Sequence, residues 1–62
     1  MPFITVEWSP RSLEAKREAA KAITEVICKV TGNKPETVRV AFIEEPPDCV
    51  AFGGVLFADQ KK

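Results

Sequence analysis

The chain has 62 residues, 45% of them apolar and 29% charged, with nine basic side chains balanced by nine acidic ones and no histidine. A single small domain spanning residues 1–62 is the ceiling, and because a chain of about 60 residues buries only about 60% of the surface it exposes when unfolded, copies of itself are the expected supplement to a marginal core. Zero His excludes Ser-His, Cys-His and His-metal chemistry; the even charge balance argues against a nucleic-acid partner, and the longest apolar runs fall short of a membrane span.

Residues Phe3 to Trp8 predict a strand, since Ile4, Val6 and Trp8 alternate with Phe3, Thr5 and Glu7. Ser9-Pro10-Arg11-Ser12 carries turn chemistry, and Ser12 is placed to cap a following helix. From Leu13 to about Thr31 the apolar residues Leu13, Ala19, Ala20, Ile23, Val26, Ile27 and Val30 recur at helical spacing. Glu14 with Arg17, Glu18 with Lys21, and Glu25 with Lys29 are spaced to pair on the solvated side of that helix. Gly32 suits the left-handed end, and Asn33-Lys34-Pro35-Glu36 reads as a turn. A second strand is predicted from Val38 to Glu44, with parallel pairing to the first through a right-handed crossover. Pro46-Pro47 stops it. The apolar segment from Cys49 to Phe57 reads as two short arms around Gly53-Gly54, a hairpin with more apolar surface than one small chain covers. The only Lys run, Lys61-Lys62, lies at the tail.

With His absent, a proton-transfer base at neutral pH must be a shifted carboxylate, Lys or Cys, or the amino terminus. Met1-Pro2-Phe3 lacks the basic start of a signal peptide, so the expected address is the cytoplasm, where Cys28 and Cys49 stay as free thiols. If Met1 is removed, Pro2 exposes a secondary amine. An α-amino group has a pKa of about 7.7 to 8.0, and an apolar pocket with cationic neighbours lowers it. By composition alone, however, Pro2 is one of five prolines and carries no assignment. Cys28 and Cys49 have no His partner and no redox spacing, so they read as packing residues. Glu44 and Glu45 are adjacent on a strand and point to opposite faces, which keeps them from addressing one substrate together.

Pro2 followed by a strand, Arg11-Ser12 at the start of a long helix, Val38-Arg39-Val40 in the second strand, and the terminal Gly53-Gly54 hairpin together resemble the 4-oxalocrotonate tautomerase family. The likeness runs over essentially the whole chain. It implies an α/β subunit, a single β-α-β unit with parallel strands and a C-terminal hairpin, assembled as a trimer of dimers with active sites shared between subunits. It also implies an isomerase of the kind that serves aromatic degradation, needing no cofactor or metal. Pro2 would be the base and acid that moves a proton in a small carboxylated enol or 2-hydroxydienoate to give the conjugated keto acid. Arg39 matches the arginine that contacts the 2-hydroxy or keto oxygen and a carboxylate oxygen, and Arg11 matches the one that holds the distal carboxylate. Both would depress the Pro2 amine by like-charge repulsion.

The chain departs from the family pattern in two places. The loop before Arg11 is one residue shorter and contains Pro10, and the family's active-site aromatic falls on Val50, leaving Phe52 or Trp8 to supply an aromatic wall. Two other functions compete with the isomerase: dehalogenation or decarboxylation of a small acid, and a non-catalytic oligomeric module whose Pro2 stays blocked by Met1.

Overall fold

The computed structural model describes residues 1–60; Lys61-Lys62 lies outside them. The elements in chain order are β1 (Phe3–Trp8), α1 (Leu13–Thr31), β2 (Arg39–Glu44), β3 (Ala51–Phe52) and β4 (Val55–Leu56), with 3₁₀ turns at Pro35–Thr37, Pro47–Cys49 and Phe57–Asp59. Strand β1 pairs with β2 in parallel, Phe3 opposite Arg39 and Trp8 opposite Glu44. The β-α-β unit with a terminal hairpin is the architecture expected from the residue pattern.

Helix α1 begins just after Ser12, whose backbone is extended and whose hydroxyl accepts the Ala15 amide at 3.1 Å. It ends at Gly32, whose φ of 79° lets its amide reach the Cys28 carbonyl at 2.8 Å. Alternation then assigns the sheet faces. Ile4, Val6, Trp8, Val40, Phe42 and Glu44 share one face and are all half-buried, and the Glu44 carboxylate pairs there with Lys16 of α1. Phe3, Thr5 and Glu7 with Arg39 and Ile43 form the other face, exposed in the single chain. No side chain among the described residues is fully buried.

The apolar arc of α1 is wider than two strands can cover. Ala19, Ala20, Ile23 and Ile27 are half-buried, whereas Val26 and Val30 remain 58% and 77% exposed. The hairpin is likewise uncovered, with Phe52 60% exposed. Its two-residue turn places Gly53 and Gly54 at φ of 61° and 84°, a double left-handed conformation that matches the twist of the flanking strands and suits glycine. The chain measures 43 × 23 × 16 Å with a radius of gyration of 15.0 Å. A compact chain of this length would have a radius of about 11 Å. The molecule is an open half-structure, extended where hairpin and sheet part company.

Three local expectations are corrected. Strand β2 starts at Arg39 rather than Val38, because the Val38 amide donates to the Pro35 carbonyl at 3.1 Å and is spent on the turn. The hairpin arms are shorter than predicted: Cys49 and Phe57 sit in 3₁₀ turns. The helix pairs Glu14–Arg17, Glu18–Lys21 and Glu25–Lys29 do not close; among the described residues the one ion pair is Lys16–Glu44. Holding two long exposed side chains together costs entropy that a screened attraction barely offsets. No helix is long and apolar enough to cross a membrane.

Candidate active site

Parallel pairing sorts the candidate residues to opposite ends of the β1–β2 sheet. Pro2 and Arg39 lie where both strands begin. The Arg39 amide donates to the Pro2 carbonyl at 3.0 Å, which fixes the two residues side by side in the backbone. Pro2 is half-buried, Met1 ahead of it is 81% exposed, and with Met1 attached the Pro2 nitrogen is an amide without a basic lone pair. The Arg39 guanidinium lies 5.8 Å from the centre of the Phe3 ring, its register partner. That contact steadies the cation without neutralising it. No carboxylate pairs with Arg39 among the described residues.

Arg11, Trp8, Val50 and Phe52 lie at the other end, where the strands finish. Five strand steps separate Phe3 from Trp8, a distance of about 16 Å. Trp8 stacks on Phe42 with ring centres 5.0 Å apart and planes 13° from parallel, and the Arg11 guanidinium sits 5.8 Å from the Trp8 ring centre. The indole N–H of Trp8 is shielded from solvent and has no acceptor among the described residues. Arg11 is positioned through its backbone: its amide donates to Glu44 at 3.3 Å, and Glu44 in turn holds Lys16. The Lys16 contact first, and the Arg11 amide second, keep the Glu44 carboxyl below its ordinary pKa. Pro10 occupies the shortened loop between Trp8 and this anchor.

Trp8, Val50 and Phe52 meet in a cavity of about 270 Å³ that Glu7, Ser9, Glu45 and Phe57 complete. Two bonds extend the ladders on either side of it: Glu45 donates its amide to the Trp8 carbonyl at 2.9 Å, continuing β1–β2, and Phe57 donates to the Val50 carbonyl at 2.7 Å, continuing the hairpin. Phe52 and Phe57 meet edge to face, 6.1 Å between ring centres. Trp8, Phe52 and Phe57 thus put three aromatic rings around the cavity that Val50 also lines. Glu7, Ser9, Glu45 and Phe57 escaped the residue pattern. Strand alternation told which face Glu7 occupies, but what covers that face depends on the Pro46-Pro47 turn.

Neither thiol competes for a chemical role here. Cys49 donates its thiol to Asp48 over 3.6 Å, and that contact together with neighbouring acidic charge raises its pKa, the opposite of what a nucleophile needs. Cys28 is half-buried on α1, and both thiols are free. No group of three or more acidic or Cys side chains among the described residues could hold a metal.

One chain thus carries two candidate half-sites: Pro2 with Arg39 at one end of the sheet, and an aromatic cavity with Arg11 beside it at the other. A family model described as tautomerase enzyme matches residues 2–60. A 4-oxalocrotonate tautomerase homologue is 36% identical over the whole of both chains, with a TM-score of 0.90. YwhB, another homologue of 4-oxalocrotonate tautomerase, is 30% identical over 97% of this chain and 100% of its own, with a TM-score of 0.89. A heterohexamer 4-oxalocrotonate tautomerase from Chloroflexus aurantiacus J-10-fl is 26% identical over 98% of this chain and 100% of its own, with a TM-score of 0.88. With the fold, the length and the sequence in agreement, the chain belongs to the 4-oxalocrotonate tautomerase family of the tautomerase superfamily.

Proposed function

We propose that this chain, a single domain over residues 1–62, is a cofactor-independent tautomerase whose base is the Pro2 amine, exposed when Met1 is removed. Family membership supports a tautomerase-type isomerase. The proposal adds the residues and the substrate type: a small acid carrying an enol next to its carboxylate. The Pro2 amine takes the enol proton, negative charge gathers on the oxygen, and the same amine returns a proton to carbon, leaving the conjugated keto acid. One group serves both steps because its pKa is near the working pH. Arg39 stabilises the oxygen charge, Arg11 is a second anion contact, and Trp8, Val50 and Phe52 receive the rest of the substrate.

The observation that carries this reading is the placement of the two half-sites at opposite ends of the sheet. A complete site then needs two chains, the Pro2–Arg39 end of one against the Trp8–Arg11 end of another. Self-association also supplies what the single chain lacks, cover for Phe3, Val26, Val30 and the hairpin. Hexameric assembly is known for the Chloroflexus relative by its description, and we propose a trimer of dimers here. The working compartment we propose is the cytoplasm.

Subunit mixing tests the reading directly. Pro2→Ala and Arg11→Ala chains, each confirmed by mass to lack Met1, are assayed alone and after joint unfolding and refolding. Read as kcat/KM, random pairing of complementary ends should restore about a quarter of the sites, above the roughly tenfold-reduced value of Arg11→Ala and the lower value of Pro2→Ala. Mixed protein no more active than its parents would show that the two ends do not meet across chains.

A further inference from the structure

Among the described residues the Arg11 side chain closes no ion pair, although an acid stands at its loop. Glu44 spends its carboxylate on Lys16 and on the Arg11 amide. The guanidinium lies instead over Trp8, 5.8 Å from the ring centre. Two residues, Ser9 and Pro10, join ring to cation, and proline fixes its own φ, so the link is short and stiff. Phe42 stacks on the indole with ring centres 5.0 Å apart and sets its plane. A guanidinium resting on a ring face keeps its N–H edge open to a carboxylate, which an ion pair within the protein would close.

An indole is also a costly choice for a cavity wall. Its N–H is shielded from solvent and has no acceptor among the described residues, a penalty that leucine or phenylalanine at position 8 would not incur. What tryptophan adds is the aromatic face that attracts a cation most strongly. We propose that Trp8 is a positioning residue for Arg11: its ring holds the guanidinium beside the cavity, ready for the far carboxylate of a substrate. The inference rests on the tautomerase reading above and adds to it a residue that acts through Arg11, over and above its place in the cavity wall. A support is worth no more than the contact it supports, so losing the ring costs less than losing Arg11.

Two acids separate support from wall on protein whose first residue is confirmed as proline: 2-hydroxymuconate, with a carboxylate at each end, and 2-hydroxypenta-2,4-dienoate, with one. The ratio of their kcat/KM values cancels what the wall contributes to both. Trp8→Leu should cut the diacid-to-monoacid ratio by about three- to fivefold, and Trp8→Phe, which keeps a ring face, should hold it within about twofold of wild type. In an Arg11→Ala background, Trp8→Leu should leave the ratio unchanged, the coupling expected of residues that act as a unit. Equal losses with both acids, or the same loss with and without the Arg11 side chain, would reduce Trp8 to wall and overturn the inference while leaving the tautomerase reading in place. A readout independent of turnover comes from Trp8 being the only tryptophan. Arg11→Ala should change its fluorescence emission at unchanged circular dichroism; emission identical to wild type would show that the guanidinium does not rest on the indole, and overturns the inference as well. Failure to turn over either acid removes the tautomerase reading, and this inference falls with it.

Discussion

Where β1 and β2 begin, the position is set through the backbone: the Arg39 amide is tied to the Pro2 carbonyl, and the Arg39 guanidinium lies over the Phe3 ring. Where the same strands end, side-chain contacts multiply. Trp8 stacks on Phe42 and carries the Arg11 guanidinium near its ring, Glu44 bridges Lys16 and the Arg11 amide, and hairpin residues line a cavity. The contrast teaches that the proposed reactive end is prepared by β register alone, whereas the binding end is prepared by tertiary contacts. Damage to the first should therefore register as lost chemistry, and damage to the second as lost affinity.

The sharpest break would come at Pro2. Protein in which Met1 is retained, compared with trimmed protein of the same preparation, should lose turnover by about 10²- to 10⁴-fold, the usual worth of a general base, while its circular dichroism stays unchanged. Next is Arg39→Ala, expected to lower kcat by about 10²-fold with little change in KM, as for a charge that matters most when the oxyanion forms. Arg11→Ala should show the reverse split, raising KM by about tenfold and sparing kcat. Equal effects of the two arginine changes on both constants would erase the division of labour.

A smaller effect follows from Glu44. Its carboxyl is held below its ordinary pKa by Lys16 and the Arg11 amide, so the contribution to loop order is complete above the ordinary glutamate range and fades as pH falls through the lowered value. KM should therefore hold steady from neutral pH down to mildly acidic conditions and rise only below them, if Arg11 placement is what Glu44 secures. Glu44→Gln should show the raised KM already at neutral pH. The smallest expected change is Ser12→Ala, which removes the α1 cap and should lower stability by about 1 kcal/mol in a denaturant titration at fixed protein concentration.

The fold was legible because its signals are local. Period-two alternation from Phe3 to Trp8, the Ser12 cap, the left-handed Gly32 and the Gly53-Gly54 turn each act over a few residues. Where local rules failed, a competing partner had taken the group. Proline at position 35 set up a turn that captured the Val38 amide, and Glu44, 28 residues along the chain from Lys16, drew that lysine into the one ion pair among the described residues. The site was half legible. The family resemblance pointed to Pro2, Arg11 and Arg39, but the cavity joining Trp8 to Val50, Phe52 and Phe57 depends on the path the chain takes through the Pro47–Cys49 turn. Glu7 and Glu45, more than 35 residues apart in sequence by their numbering, could not be recognised as neighbours before that path was known.

That no side chain among the described residues is fully buried has a consequence for how this protein must be handled. If sister copies furnish the missing interior, dilution is itself a denaturant, and catalytic activity per molecule becomes a function of how much protein is in the tube. Assays run at nanomolar and at micromolar subunit would then report on different species, and a rate constant from one could not be carried to the other.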